Sequence, residues 1–301
     1  MTRADARAIR YAPRPPMNYR HHYHAGGPAD LLKHLVLVML VRRLQAKPGA
    51  MFYLDTHAGA GSYDLAHEMS QKTGEYLRGA ARLWGPVDQP GALGDLLRVL
   101  EGCNPDGVLR VYPGSPRIVR ALMRPQDRMV CCELTGRDSE RLHAEFRHDA
   151  QVSVHMRDGY EGLRAFLPPA ERRGLVLIDP PFERPDEFAV MLAGLKAAHA
   201  RWPTGCYALW YPIKSAAAVG KLHAALMQSQ IRKILIAELY TRLDHADDEL
   251  MGSGMILVNP PYQSDQSLRG VLPVLAARIA GPERATGAVV GHTRVEWLVG
   301  E

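Results

Sequence analysis

Four consecutive residues, Asp179-Pro180-Pro181-Phe182, combine a carboxylate, two prolines and an aromatic ring. The aspartate can accept one hydrogen of an exocyclic amine, and the Pro180 carbonyl, which its own strand no longer uses, can accept the other. Held in this way the amine keeps its lone pair off the ring, while Phe182 offers a flat face for stacking. The tetrad follows GLVLI, residues 174–178. That apolar run is short enough for a strand buried on both faces, and tandem prolines end such a strand by removing backbone donors. Asp179 therefore belongs at the carboxyl end of a central strand, the edge where open α/β sheets bind ligands. A DPPF tetrad alone also fits a plain strand-ending turn. The elements that position it must decide between the two.

The chain has 301 residues and is 47% apolar, enough to bury a full core in one large domain or in one domain with an insertion. Lys plus Arg outnumber Asp plus Glu by 37 to 32, for a net charge of +5. This mild basic bias is compatible with nucleic acid without being diagnostic of it. Cys103, Cys131, Cys132 and Cys206 show no CxxC spacing, so neither a zinc site nor a disulfide framework is indicated, and a reduced cytoplasm fits best. No run of about 18 apolar residues exists to span a membrane.

Residues 1–16 are rich in Arg and Pro, lack apolar periodicity and have no hydrophobic segment of a secretory signal, so they read as a disordered extension with Met17 opening the folded chain. Gly26-Gly27-Pro28 then breaks the chain where a helix can begin, and apolar spacing from Leu31 predicts an amphipathic helix to about Gln45. Its first turns carry Asp30, Lys33 and His34, able to meet a ligand carboxylate. The preceding RHHYH resembles a metal cluster, but no matching ligand set follows, so these histidines read as surface or substrate contacts.

MFYLDTHAGAG, residues 51–61, predicts a second buried strand running into a turn where Gly59 and Gly61 permit close approach of a ligand, or form an ordinary strand-to-helix turn. Residues 62–113 interrupt the alternation with helical segments and no strong strand, and read as a small helical insertion above the sheet edge. Ser115 is expected to cap the next helix, with Pro116 at its first position. RMVCCEL predicts a strand ending in Glu133, an acid placed as those that hold ribose hydroxyls. Such acids usually lie about 20 residues past the glycine loop; Glu133 lies 72 past Gly61, an offset the insertion explains. A further strand ends at Asp158-Gly159, where the aspartate can take an adenine amine or cap a helix.

Later strands are predicted at GCYALWYPI, IRKILIAELY, MILVNPPYQ and TRVEWLV, with an acidic loop at 244–250. Asn259-Pro260-Pro261-Tyr262 is a second tetrad of the same type. Order favours Asp179, whose strand follows its predecessor after one short βα unit, and NPPY reads as structural.

These segments, YRHHYHAG, DLLKH, YLDTHAGAG, TGEYL, YPGSP, Glu133, RDGY, RRGLVLIDPPF, YALWYP, IRKIL and SGMILVNPP, closely resemble in this order the bacterial RlmJ family of 23S rRNA (adenine-N6)-methyltransferases. DPPF itself is similar to the (D/N)PP(Y/F/W) motif of S-adenosylmethionine-dependent amino-methyltransferases. The resemblance runs from Met17 to the C-terminus. It implies a Rossmann-like methyltransferase fold, with residues 17–61 and 114–301 forming the main domain and 62–113 the inserted helical subdomain. It implies S-adenosylmethionine as cofactor, Asp179 as catalytic residue with Pro180 and Phe182 beside it, and cofactor contacts at Lys33, His34, His57, Gly59, Ser115, Glu133, Asp158, Gly159 and Asp179 itself. Tyr19 and His21 would contact substrate RNA. No metal and no obligate protein partner are implied, and the setting would be cytoplasmic. Phe182 stands where tyrosine is commoner in the family, which keeps stacking and loses a hydroxyl. The nearest competing reading is a DNA adenine methyltransferase, for which no target-recognition domain is visible. A nucleotide-binding dehydrogenase would leave DPPF without a role, and a non-catalytic RNA-binding module would leave both the glycines and Asp179 without one.

Overall fold

The computed structural model describes residues 20–85, 89–241, 250–280 and 291–300. Among these residues the strands, in chain order, are β1 (Phe52–Asp55), β2 (Ser62–Asp64), β3 (Val111–Pro113), β4 (Arg128–Glu133), β5 (Val152–Met156), β6 (Gly174–Ile178), β7 (Cys206–Ile213), β8 (Ile234–Tyr240), β9 (Gly252–Val258) and β10 (His292–Val299). The helices are α1 (Pro28–Gln45), α2 (Glu68–Thr73), α3 (Glu75–Arg78), α4 (Ala80–Leu83), α5 (Gly91–Cys103), α6 (Ser115–Leu122), α7 (Gly136–Phe146), α8 (Gly159–Phe166), α9 (Glu187–Arg201), α10 (Ala216–Met227) and α11 (Ser264–Ala280). Eight strands make one sheet in the order β10-β8-β9-β7-β6-β1-β4-β5. From β5 to β7 neighbours are parallel, whereas β9 is antiparallel to both β7 and β8, and β10 is antiparallel to β8.

Every residue of β1 and β6 is buried, as expected of parallel strands covered on both faces. One cover draws on α1, α5, α6, α7 and α11, the other on α8, α9 and α10. The parallel register brings the carboxyl ends of β1, β4 and β6 to one edge. Asp55 lies opposite Cys131 and Leu177, so Glu133 and Asp179 project just beyond it on either side. Because β9 runs antiparallel, its carboxyl end emerges at the other edge: Val258 pairs with Tyr207, near the start of β7. Asn259 there donates to the carbonyls of Pro203 (2.7 Å) and Gly205 (3.0 Å), tying a loop in place.

Three expectations are corrected. Helix α1 is not amphipathic: all residues from Asp30 to Val41 are buried, because the sheet, α5, α6 and α11 surround it. The stretch 62–113 is not purely helical, since β2 and β3 pair antiparallel at its base, Ser62 opposite Pro113. Three residues each are too few to show an alternating pattern. Ser115 does not cap α6: Gly114 occupies that position and Ser115 is the first helical residue. The extension 1–16 and the acidic stretch 244–249 lie outside the described residues.

Gly159, where α8 begins, is packed against the loop after β1. A Cβ there would fall 2.2 Å from the Thr56 carbonyl oxygen and 2.9 Å from the His57 ring. Gly159→Ala is therefore expected to cost about 1–3 kcal/mol. Urea denaturation checks this, and a midpoint equal to that of the parent chain would contradict it.

Candidate active site

Two of the acidic strand tips, Glu133 and Asp179, line a cavity of about 370 Å³ at the carboxyl edge, a size suited to a small-molecule ligand, with Asp55 buried behind its wall. Of the residues singled out in the sequence, the fold brings His21, Lys33, His34, His57, Gly59, Ser115, Glu133, Gly159, Asp179 and Pro180 to its wall. Lys33 is part of that wall. The ammonium, almost fully buried, donates to Asp179 Oδ2 at 2.7 Å and contacts Asp30 Oδ1 at 2.8 Å. Burial alone would lower the Lys33 pKa, but the carboxylates of Asp179 and Asp30 outweigh it and raise the value, so the ammonium stays charged. Asp30 Oδ2 also meets His21 Nε2 (3.0 Å) and accepts from the Gly26 N–H (3.0 Å). Against the opposing effect of burial, His21 and Lys33 hold its carboxyl well below the usual range.

At the tip of β4, Glu133 accepts the N–H of Gly59 (2.8 Å) on one oxygen and that of Thr135 (2.7 Å) on the other. Burial nevertheless raises its pKa. These bonds fix the carboxylate edge at the wall while leaving each oxygen a further lone pair. His34 is fully buried, and its Nδ1 meets the Tyr112 hydroxyl at 2.7 Å. Its Nε2 is buried with no partner among the described residues. Burial, followed by the charge of Lys33, lowers its pKa to about 3. The ring is therefore neutral, with one nitrogen available to a cavity ligand. His57 bonds through Nδ1 to Thr56 Oγ1 (2.8 Å) and packs edge-on against Tyr160.

Other sequence candidates stand elsewhere. Asp158 is the cap of α8, its Oδ1 accepting from Tyr160 (2.8 Å) and Glu161 (3.0 Å), and it is not part of the cavity wall, which Gly159 joins. Phe182 is off the wall too. It has a left-handed φ of 52°, and its ring meets Phe188 and Trp210 edge-on. Gly59 and Gly61 have φ of 62° and 81°, and the space a Cβ would need is taken by the Tyr63 hydroxyl and by Leu142. Protein packing and a left-handed backbone require glycine at both positions, and Gly59 also lies on the cavity wall whereas Gly61 does not. Tyr19 lies outside the described residues. Among those residues no cluster of His, Cys, Asp and Glu could hold a metal ion.

The sequence reading missed Asp55, Tyr63, Tyr160, Glu183, Arg184 and Glu187, and gave Asp30 only in passing. Asp55 is the clearest omission. Wholly buried, its Oδ2 accepts from Ser115 Oγ (2.7 Å) and Tyr53 Oη (2.8 Å). Burial raises its pKa to about 6 despite those two bonds. As an acid at the end of an apolar strand it carried the same signal that marked Asp179.

The family described as "Ribosomal RNA large subunit methyltransferase D, RlmJ" matches residues 48–299. The chain is 41% identical over 285 residues to the Ribosomal RNA large subunit methyltransferase J of Escherichia coli (strain K12), covering 95% of this chain and all of that protein. To the protein of the same name from Haemophilus influenzae it is 38% identical over 286 residues, again covering 95% of this chain and all of the relative. The chain belongs to the RlmJ family. A solved structure of a Legionella pneumophila protein is similar across 91% of this chain and 98% of its own, with a TM-score of 0.82 and 30% identity.

Membership of the RlmJ family makes the chain a methyltransferase that uses S-adenosylmethionine as methyl donor. The cavity fits that donor. Glu133, Asp138, Asp179, Glu183 and Glu187 line it against only Lys33 and Arg184, an excess of carboxylates that suits a sulfonium cation. The unpartnered His34 Nε2 and the fixed Glu133 edge supply polar contacts for the rest of the molecule.

Glu133→Gln puts an amide where two N–H donors must be accepted, and is expected to weaken S-adenosylmethionine binding at least about tenfold, a loss of about 1.4 kcal/mol; calorimetric titration with unchanged affinity would contradict it. Asp55 has a folded pKa raised to about 6 from 3.8. Its contribution to stability is thus complete below about pH 4 and lost as pH rises through about 6, amounting to about 2–3 kcal/mol. Relative to Asp55→Asn, the parent chain should lose stability over that window; parallel curves of denaturation free energy against pH would refute this.

Proposed function

We infer that this chain methylates N6 of a specific adenine in 23S ribosomal RNA, taking the methyl group from S-adenosylmethionine. One observation carries the reading: in a chain of the RlmJ family, the aspartate of a DPPF tetrad stands at the cavity wall with one carboxylate oxygen held at 2.7 Å by a buried lysine. S-adenosylmethionine, when bound, supplies an electrophilic methyl on a positively charged sulfur. We assign its binding to Lys33, His34, His57, Gly59, Ser115, Glu133 and Gly159, with Asp158 acting on the same ligand only through the start of α8.

The remaining work falls to Asp179 and its neighbours. With Oδ2 engaged by Lys33, the other carboxylate oxygen and the Pro180 carbonyl can accept the two hydrogens of an adenine amine. This arrangement orients the nitrogen and stabilises charge as it develops. Asp179 need not take a proton before attack, because the methylated amine becomes acidic afterwards. Phe182 would leave its packing against Phe188 and Trp210 to stack on the base. His21, hydrogen-bonded to Asp30 at the cavity wall, and Tyr19 would face the RNA. The base must leave its stack to reach such a cavity, which favours single-stranded or locally opened RNA, free or partly assembled. Such a substrate places the protein in the cytoplasm. No helix among the described residues is long and apolar enough to cross a membrane. A DNA adenine methyltransferase would use the same amine chemistry, but the family match disfavours it.

Transfer of tritium from labelled S-adenosylmethionine to protein-free 23S rRNA, followed by nucleoside analysis, tests the reading. Labelled N6-methyladenosine is expected with the parent chain. Asp179→Ala should give none, and Asp179→Asn should be slower by about 10². Label appearing in duplex DNA but not in rRNA, or an Asp179→Asn enzyme of normal rate, would overturn it.

A further inference from the structure

The edge of the sheet opposite the cavity carries an unbalanced charge. Three neighbouring loops, residues 46–51, 123–127 and 167–173, lead into the adjacent parallel strands β1, β4 and β6. Together with the first residue of β4 they hold five cations, Lys47, Arg124, Arg128, Arg172 and Arg173, against two carboxylates, Asp127 and Glu171. That is a local net of +3 in a chain whose total is +5. Both carboxylates are already engaged: Asp127 pairs with Arg124 (2.9 Å), and Glu171 is gripped by Arg128 at 2.7 and 3.1 Å. Lys47, Arg172 and Arg173 form no salt bridge among the described residues, and Arg173 feels Asp127 only as a charge that partly offsets its burial.

The fold also presses two of these cations together. Arg124 and Arg173 both donate to the Gly49 carbonyl, at 2.8 and 3.2 Å. Burial, and then the charge of Arg124, lower the Arg173 pKa, as expected of like charges held close. Lys47 and Arg172 are exposed beside them. A concentration of like charge that local carboxylates do not relieve is a departure from consistent folding of the kind found at functional surfaces. The Arg124 guanidinium is spent on Asp127 and on the carbonyls of Gln45, Lys47 and Gly49, so Lys47, Arg172 and Arg173 are the cations left to meet phosphate oxygens.

We propose that this edge is a second contact surface for the RNA substrate, gripping phosphates of a backbone segment remote from the methylated adenosine. The surface lies one strand length from the cavity, about 15–20 Å at about 3.3 Å per residue, so only an RNA that extends well past the target base can reach both. Contacts of this kind supply affinity and position without reading sequence. The proposal rests on the 23S rRNA reading given above.

The test compares the parent chain with Lys47→Gln/Arg172→Asn, two exposed positions outside the cavity wall. Asparagine tolerates the left-handed backbone of Arg172, whose φ is 53°. On full-length protein-free 23S rRNA the variant should show a KM raised about tenfold with kcat unchanged, and a log–log salt dependence shallower by about 1.4, two phosphate contacts at about 0.7 each. On a short hairpin containing only the target adenosine and its neighbours, the two enzymes should be equal. Identical KM and salt slope on full-length RNA would overturn the proposal and leave the edge to an acidic protein partner. An equal loss on the hairpin would overturn it too, by placing the effect at the cavity. A parent chain that methylates no rRNA would instead overturn the functional reading.

Discussion

A single buried ammonium ties the molecule together at the point of chemistry. Lys33 reaches from α1 to Asp179 beyond β6 and at the same time touches Asp30 on its own helix. Two carboxylates around one cation in a buried site are tolerable only because each is further hydrogen-bonded or faces the cavity. The consequence is mechanical as much as electrostatic. The N-terminal turn at His21 and Gly26, the first turn of α1 and the tip of β6 are held by one chain of contacts, so displacing any one shifts the groups that face a substrate amine.

Sheet direction does the rest of the positioning. Parallel strands β1, β4 and β6 deliver Asp55, Glu133 and Asp179 to one edge, and their environments separate their roles. Asp55 is sealed off with a raised pKa and organises Ser115. Glu133 is pinned by two backbone N–H groups at the wall. Asp179 is held by Lys33 with one oxygen left to the cavity. The same rule disposes of the NPPY tetrad. Identical local chemistry at the end of an antiparallel strand lands on the far edge, where Asn259 secures a loop.

Much of this was legible in the residue order. Apolar runs ending in Glu133 and Asp179 marked strands with ligand-facing tips, and the run before Asp55 marked a third strand whose acid went unread, because burial on both faces demands continuous hydrophobicity and prolines or glycines must end it. Pro28 gave the start of α1. The paired strands β2 and β3 were not legible, since three residues cannot display a period. The burial of α1 on every side was not either, because it depends on α5 and α11, which arrive from distant parts of the chain. The RlmJ family match agrees with the motifs that carried the resemblance, and the methyltransferase assignment follows from it.

The sequence by itself thus determined which residues could accept an amine and which strands would carry them, since both follow from side-chain chemistry and local periodicity. Tertiary structure decided which of those residues share a cavity. It brought Lys33 to Asp179 across 146 positions and gave the Asp158 carboxylate to the start of α8. It packed Phe182 against Phe188 and Trp210, and filled the space beside Gly59 with the Tyr63 hydroxyl. Those outcomes rest on contacts between segments far apart in the chain, and a local pattern holds no record of them.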